Sequence, residues 1–169
     1  MKSILLAILV VVSPIWPIGV NPSVGDPYII VNKKSHELAY ILDGEVKQIY
    51  EVAVGKAEAK TPEGEHTIIV KAENPYYRKK NIEGGSKENP LGTRWIGFDA
   101  ENTDGRIYGI HGTNNPSSIG QDITAGCVRM KNEDVEILFQ EVPIGMKILI
   151  TSSDESFDDL GKKQGAIRK

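Results

Sequence analysis

The chain has 169 residues, 40% of them hydrophobic and 25% charged, with a formal net charge of -3. That length supports one domain with a full core and excludes two comfortable ones. The slightly acidic balance excludes an electrostatic case for nucleic acid, which needs a concentrated basic face; the "YYRKKN" stretch at 76–81 reads as a solvated loop tip.

The first twenty residues read as an export signal or an N-terminal membrane anchor. One lysine precedes an unbroken apolar run from Ile4 to Val12, and prolines follow at 14 and 17. Strand character then begins. "PYIIVNKK" and "HELAYIL" are short apolar runs, and "DGEVKQIYEVAVG" follows directly, with Asp43-Gly44 as a two-residue hairpin signal. In the third run Val46, Tyr50, Val52 and Val54 alternate with Lys47 and Glu51, as in a half-buried strand.

A fourth strand is expected from about Glu65 within "TPEGEHTIIVKA". The stretch "ENPYYRKKNIEGGSKENPLG" has no periodicity, and a connection of that length suits the wall or cover of a groove. "TRWIGF" and "RIYGIHG" resume strand character around a turn at "NTDG". One helix is expected after Asn132 as N-cap, with Val135, Leu138, Phe139 and Val142 on one stripe and Pro143 and Gly145 ending it. "MKILIT" reads as a closing strand, and the polar tail at 152–169 reads as frayed. The expectation is a mainly β, sandwich-like domain over 27–151 with one packed helix.

The chemistry concentrates in "HGTNNPSSIGQDITAGCVRM", residues 111 to 130. Cys127 is the only cysteine, so an exported chain cannot pair it internally; the thiol is either inert or kept for its reactivity. A cysteine attacks as thiolate and needs a base to remove its proton. His111 ends one apolar run, Cys127 lies just before the helix, and the glycine-rich residues between them can loop to bring the two together. Gly126 permits a bend that exposes the sulfur and gathers backbone amides as an oxyanion hole. Arg129, two positions on, shares the cysteine's face in extended backbone and suits a substrate carboxylate.

"HGT" followed by "GCVRM" closely resembles the catalytic signature of the YkuD-type L,D-transpeptidases, and "TPEGEHTI", "NPLGTRWIGF" and "YGIHGT" extend the resemblance over roughly 27–151. The resemblance implies a β-rich domain acting on bacterial peptidoglycan outside the cytoplasm. Cys127 would be the nucleophile on a tetrapeptide stem, releasing terminal D-Ala, and an amine of a second stem would resolve the thioester. His111 would be the base, and the Gly112 carbonyl would orient its imidazole. Amides near Gly126 would hold the oxyanion, and Arg129 would bind substrate. No metal or cofactor is implied. Many relatives carry Ser-His-Gly-Cys where this chain has Thr124-Ala125-Gly126-Cys127, so the base assignment falls on His111.

Four other readings stand against this one. Water in place of the acceptor amine would give an L,D-carboxypeptidase on the same stems. A sortase needs a TLxTC-like strand far beyond the histidine, and papain-like or NlpC-like enzymes place Cys before His; neither order is present. A non-catalytic wall-binding domain would hold a buried Cys127, slow to alkylate, whereas an enzyme would show rapid labelling that depends on His111. His36 and His66 read as exposed or edge residues without metal-ligand spacing.

Overall fold

A computed structural model describes residues 21–169; the expected export signal or anchor at 1–20 lies outside the described residues. Among the described residues ten strands form in chain order: β1 Tyr28–Asn32, β2 Glu37–Leu42, β3 Glu45–Glu51, β4 Val54–Gly55, β5 Gly64–Glu73, β6 Arg94–Phe98, β7 Tyr108–His111, β8 Asp122–Thr124, β9 Val128–Arg129 and β10 Lys147–Thr151. Helix α1 spans Asn132–Glu141 and α2 spans Phe157–Gln164.

Eight strands make one sheet in the order β3-β2-β1-β10-β5-β6-β7-β9, and β4 pairs separately with β8. The β1–β10, β7–β9 and β4–β8 pairs are parallel, the others antiparallel. The sheet curls until its ends meet. Just beyond β3, Ala53 N–H donates to the Arg129 carbonyl at 2.9 Å, and Arg129 N–H donates to the Ala53 carbonyl at 2.8 Å. The mainly β expectation therefore takes the form of one curled sheet around a core, with β9 brought to the middle of the closure.

The β2–β3 hairpin turns at Asp43-Gly44, whose φ values of 55° and 76° match the left-handed turn that pairs with twisted strands. A register shift between Tyr40 and Ile41 separates two residues that simple alternation puts on one face. Tyr50 joins the main core, while Val46 packs against a second cluster on the other side of the sheet. An extra residue at such a shift reverses the facing of everything beyond it.

Strand β1 explains why there are two clusters. All five of its residues are buried: Ile29 and Val31 face the main core, and Tyr28 and Ile30 face the second cluster. A strand apolar on both faces needs cover on both. Helix α1 covers the main core with Val135, Leu138 and Phe139. Its last turn is held by Lys71 on β5, whose Nζ donates to the Phe139 and Val142 carbonyls, each at 2.6 Å, and lies over the Phe139 ring.

The opposite face is covered by the tail, which corrects two expectations: 152–169 is docked rather than frayed, and the domain carries two helices rather than one. Leu160, Ala166 and Ile167 pack on Tyr28, Ile30 and Ile41. Ser156 caps α2 by accepting from the Asp159 amide at 3.1 Å. Asp158 and Asp159 sit in its first turn, Lys162 and Lys163 in its last, and Gly165 ends it at φ 83°. The separate acidic and basic blocks are thus the charge order a helix dipole favours. Leu160→Ala is expected to cost about 2 kcal/mol, the low end for a buried leucine because this edge site can relax. Urea unfolding would check this, and an unchanged midpoint would refute the docking.

Candidate active site

His111 closes β7, opposite Trp95 on β6 and Arg129 on β9. Its ring stacks on the Trp95 indole at 5.6 Å between centroids. The indole is fixed by its own N–H, which donates to the Gly105 carbonyl at 2.8 Å. Gly109 is bare for this reason: a Cβ there would lie 2.7 Å from the indole. The imidazole is only 4% exposed, and its Nδ1 lies 2.6 Å from the Gly112 carbonyl. A carbonyl only accepts, so Nδ1 carries the proton and Nε2 keeps a lone pair. Burial pushes the His111 pKa down to about 4; the Gly112 carbonyl opposes this, Arg129 adds to it, and the Leu91 carbonyl opposes it.

Cys127 follows a tight bend. Gly126 has φ 115°, a region closed to most side chains, and a Cβ there would lie 3.1 Å from the Tyr108 ring. Thr124 ties the bend together: its hydroxyl donates to the Cys127 carbonyl at 2.6 Å and accepts from the Gly126 amide at 3.2 Å. That amide is therefore engaged, which gives Gly126 a conformational role rather than that of an oxyanion donor. Thr124→Val keeps the shape but strands both backbone groups. A loss of about 1–2 kcal/mol is expected in urea unfolding, and a wild-type midpoint would show that Thr124 does not hold the bend.

The β7–β9 register sets Arg129 beside His111. Carried back past the start of β9 it brings Cys127 near Gly109, whose backbone amide faces the sulfur. The thiol donates to the Ile107 carbonyl at 3.3 Å, and among the described residues no hydrogen bond joins it to His111. Burial pushes the Cys127 pKa up, while the Gly109 amide, Lys79 and Arg129 favour the thiolate. Arg129 is half-buried, with one terminal nitrogen donating to the Ser118 hydroxyl at 2.9 Å. Its Nε has no hydrogen-bond partner among the described residues.

The YkuD family model, described as the L,D-transpeptidase catalytic domain, matches residues 26–150. The chain belongs to this family. It is 57% identical over 169 residues to YqjB of Bacillus subtilis (strain 168), named as an L,D-transpeptidase, covering all of this chain and 96% of that one. YkuD of the same strain is 38% identical over 136 residues, 78% of this chain and 73% of that protein. Among solved structures, the catalytic domain of the E. faecium L,D-transpeptidase superposes with a TM-score of 0.58 at 26% identity, covering 75% of this chain and 97% of that one. An L,D-transpeptidase from Mycobacterium smegmatis gives 0.59 at 18% identity, a likeness of fold, with 73% of this chain covering 58% of that one.

In this L,D-transpeptidase domain the long connection at 74–93 is organised rather than structureless. A 3-10 turn at Arg78–Lys80 carries Lys79, and Asn89, 1% exposed, donates to the Pro75 and Glu83 carbonyls at 2.7 and 3.2 Å. Ala125, within the bend before Cys127, is exposed. His36 pairs with Asp122 at 3.1 Å, and half-buried His66 stacks on Phe98. Sequence reading missed Trp95, Ser118 and Asn89, whose roles come from partners distant along the chain. It also set Asn132 as the N-cap of α1. Lys131 holds that position instead, and the Asn132 side chain turns away from the helix.

Proposed function

We propose that this domain is a peptidoglycan L,D-transpeptidase that works outside the cytoplasmic membrane through a thioester on Cys127. The observation that supports the reading is the parallel β7–β9 pairing, which brings the bend that carries Cys127 alongside the strand that ends in His111, whose Nδ1 faces the Gly112 carbonyl and leaves Nε2 to serve as the base.

The opposed pKa shifts support a neutral thiol and a neutral imidazole at rest rather than a preformed ion pair. The thiol turns from Ile107 to Nε2, which takes its proton as sulfur attacks the carbonyl between the third stem residue and terminal D-Ala. Amides of the bend other than that of Gly126 meet the oxyanion. His111 returns the proton to the departing nitrogen; D-Ala leaves and the thioester remains. An amine from a second stem then attacks the thioester carbonyl and gives its proton to His111. Sulfur leaves as thiolate and takes that proton back, and the product is a crosslink between two third-position residues. Arg129, half-buried beside His111, offers its guanidinium charge to a substrate carboxylate, and Lys79 adds positive charge from the connection at 74–93.

Incubation with a disaccharide-tetrapeptide followed by mass spectrometry tests this. Free D-Ala, an acyl adduct on Cys127 and a crosslinked dimer are expected. D-Ala and adduct without dimer would mean that water resolves the thioester, making the enzyme an L,D-carboxypeptidase. Neither D-Ala nor adduct from folded protein would refute the catalytic reading. Acylation by a penem is the appropriate second probe, since the raised thiol pKa makes simple alkylation slow at neutral pH even in a competent enzyme.

A further inference from the structure

Gly112 and Asn132 are 20 residues apart, yet the Asn132 amide oxygen is packed against the backbone that follows His111. It accepts from the Thr113 amide at 3.0 Å and from the Thr93 amide at 3.2 Å. A Cβ on Gly112 or on Gly92 would lie 2.1 Å from that oxygen. Both glycines are therefore bare where the asparagine enters.

The Thr113 N–H and the Gly112 carbonyl belong to one planar peptide unit and point in opposite directions. Holding the N–H fixes the direction of the C=O. That carbonyl is the group 2.6 Å from His111 Nδ1. The second bond, to Thr93, ties the same oxygen to the residue preceding β6, the strand that carries Trp95 and its stacking contact with His111.

We infer that Asn132 is a positioning residue for His111: through the Gly112–Thr113 peptide it holds the imidazole in the tautomer with Nδ1 protonated and Nε2 free. The inference rests on His111 being the base of the proposed reaction. Its consequence is local and specific. Without the acceptor oxygen, the peptide plane can rotate, Nδ1 loses its oriented partner, and part of the population carries its proton on Nε2, where it cannot accept from the thiol. Asn132, Thr93 and Thr113 also line a cavity of about 400 Å³. Water there can satisfy the freed amides, so truncation is expected to preserve the fold while releasing the orientation.

The test compares wild type with Asn132→Ala and Asn132→Asp. Asp keeps an acceptor oxygen of the same reach. Circular dichroism would report folding, D-Ala release from a disaccharide-tetrapeptide would report turnover, and 15N NMR of histidine-labelled protein would report the tautomer. His36 and His66 serve as internal references for the NMR. The alanine variant is expected to lose about 10- to 100-fold in kcat, reaching at most the lower end of the ~10²–10⁴-fold span of general acid–base catalysis, since part of the population keeps the competent tautomer. KM should stay within about twofold, and the His111 signals should move from a single tautomer toward an average. Asp is expected to restore kcat to within about threefold and to return the single-tautomer signals. Unchanged His111 signals in the alanine variant, or unchanged turnover, or an equal loss in both variants, would overturn the inference. If the alanine variant does not fold, Asn132→Ser, whose hydroxyl is too short to span both amides, carries the same expectations. If wild type itself releases no D-Ala, the functional reading has failed, and the tautomer measurement alone decides on Asn132.

Discussion

Cys127→Ala is expected to eliminate both the covalent adduct and D-Ala release, because no other thiol exists in the chain to take over. His111→Ala should behave differently: it keeps the proposed nucleophile but removes its proposed base. A loss of ~10²–10⁴-fold in acylation rate is expected for a general base. The residual rate should climb with pH, as thiolate forms without help from a thiol that burial holds above its ordinary range. Wild type, with an imidazole already neutral above about pH 4, should instead show a rate that varies little from pH 6 to 8. Adduct mass against time, measured for both proteins across pH, separates these cases. A His111→Ala variant that acylates at the wild-type rate would remove His111 from the mechanism.

The second large effect is on stability in acid. His111 titrates at about 4 in the folded protein, driven down mainly by burial, against 6.5 in an ordinary setting. Between these values the unfolded chain binds a proton that the folded chain refuses. Stability therefore rises with pH through this window and falls as pH drops from 6.5 to 4, by about 3 kcal/mol in all. Above pH 6.5 both states are neutral at this site and the contribution is flat. Carboxylates titrate in the same region, so the useful measurement is a difference. Urea unfolding of wild type and His111→Gln at pH 4, 5.5 and 7 should show the variant with the shallower acid loss. Parallel curves would mean that His111 is not buried in its neutral form.

The sequence carried the β content well because alternation and turn chemistry are local. Asp43-Gly44 specifies a hairpin by backbone sterics alone, and the turn forms there. The α1 stripe is equally local. The facing of Val46 was not legible, since a register shift between Tyr40 and Ile41 depends on how two strands fit together. The tail was misread for a related reason. Its polarity is that of a helix with one narrow apolar edge, and only the second apolar face of β1 gives that edge something to cover. A run of five buried strand residues already implied such a cover.

Among the candidate site residues, Cys127 and His111 stand out in the sequence because each is scarce and chemically demanding, and their motif spans few positions. Asn132 shows the limit of local reading. An asparagine before an apolar stripe has the signature of an N-cap, yet its oxygen serves two amides of other segments, Thr93 and Thr113. Gly126 was placed correctly at a bend, but Thr124 takes its amide for the bend itself.

By itself the sequence determined the strand pattern and the family and singled out the candidate pair Cys127 and His111, since these follow from residue type and short-range spacing. The tertiary structure alone decided the rest. The curling of the sheet brings β9 against Ala53 and sets Arg129 beside His111. Burial sets the protonation of His111 and Cys127, and Asn132 aims the Gly112–Thr113 peptide. Desolvation and peptide orientation are imposed by groups far apart along the chain, and no local pattern encodes them.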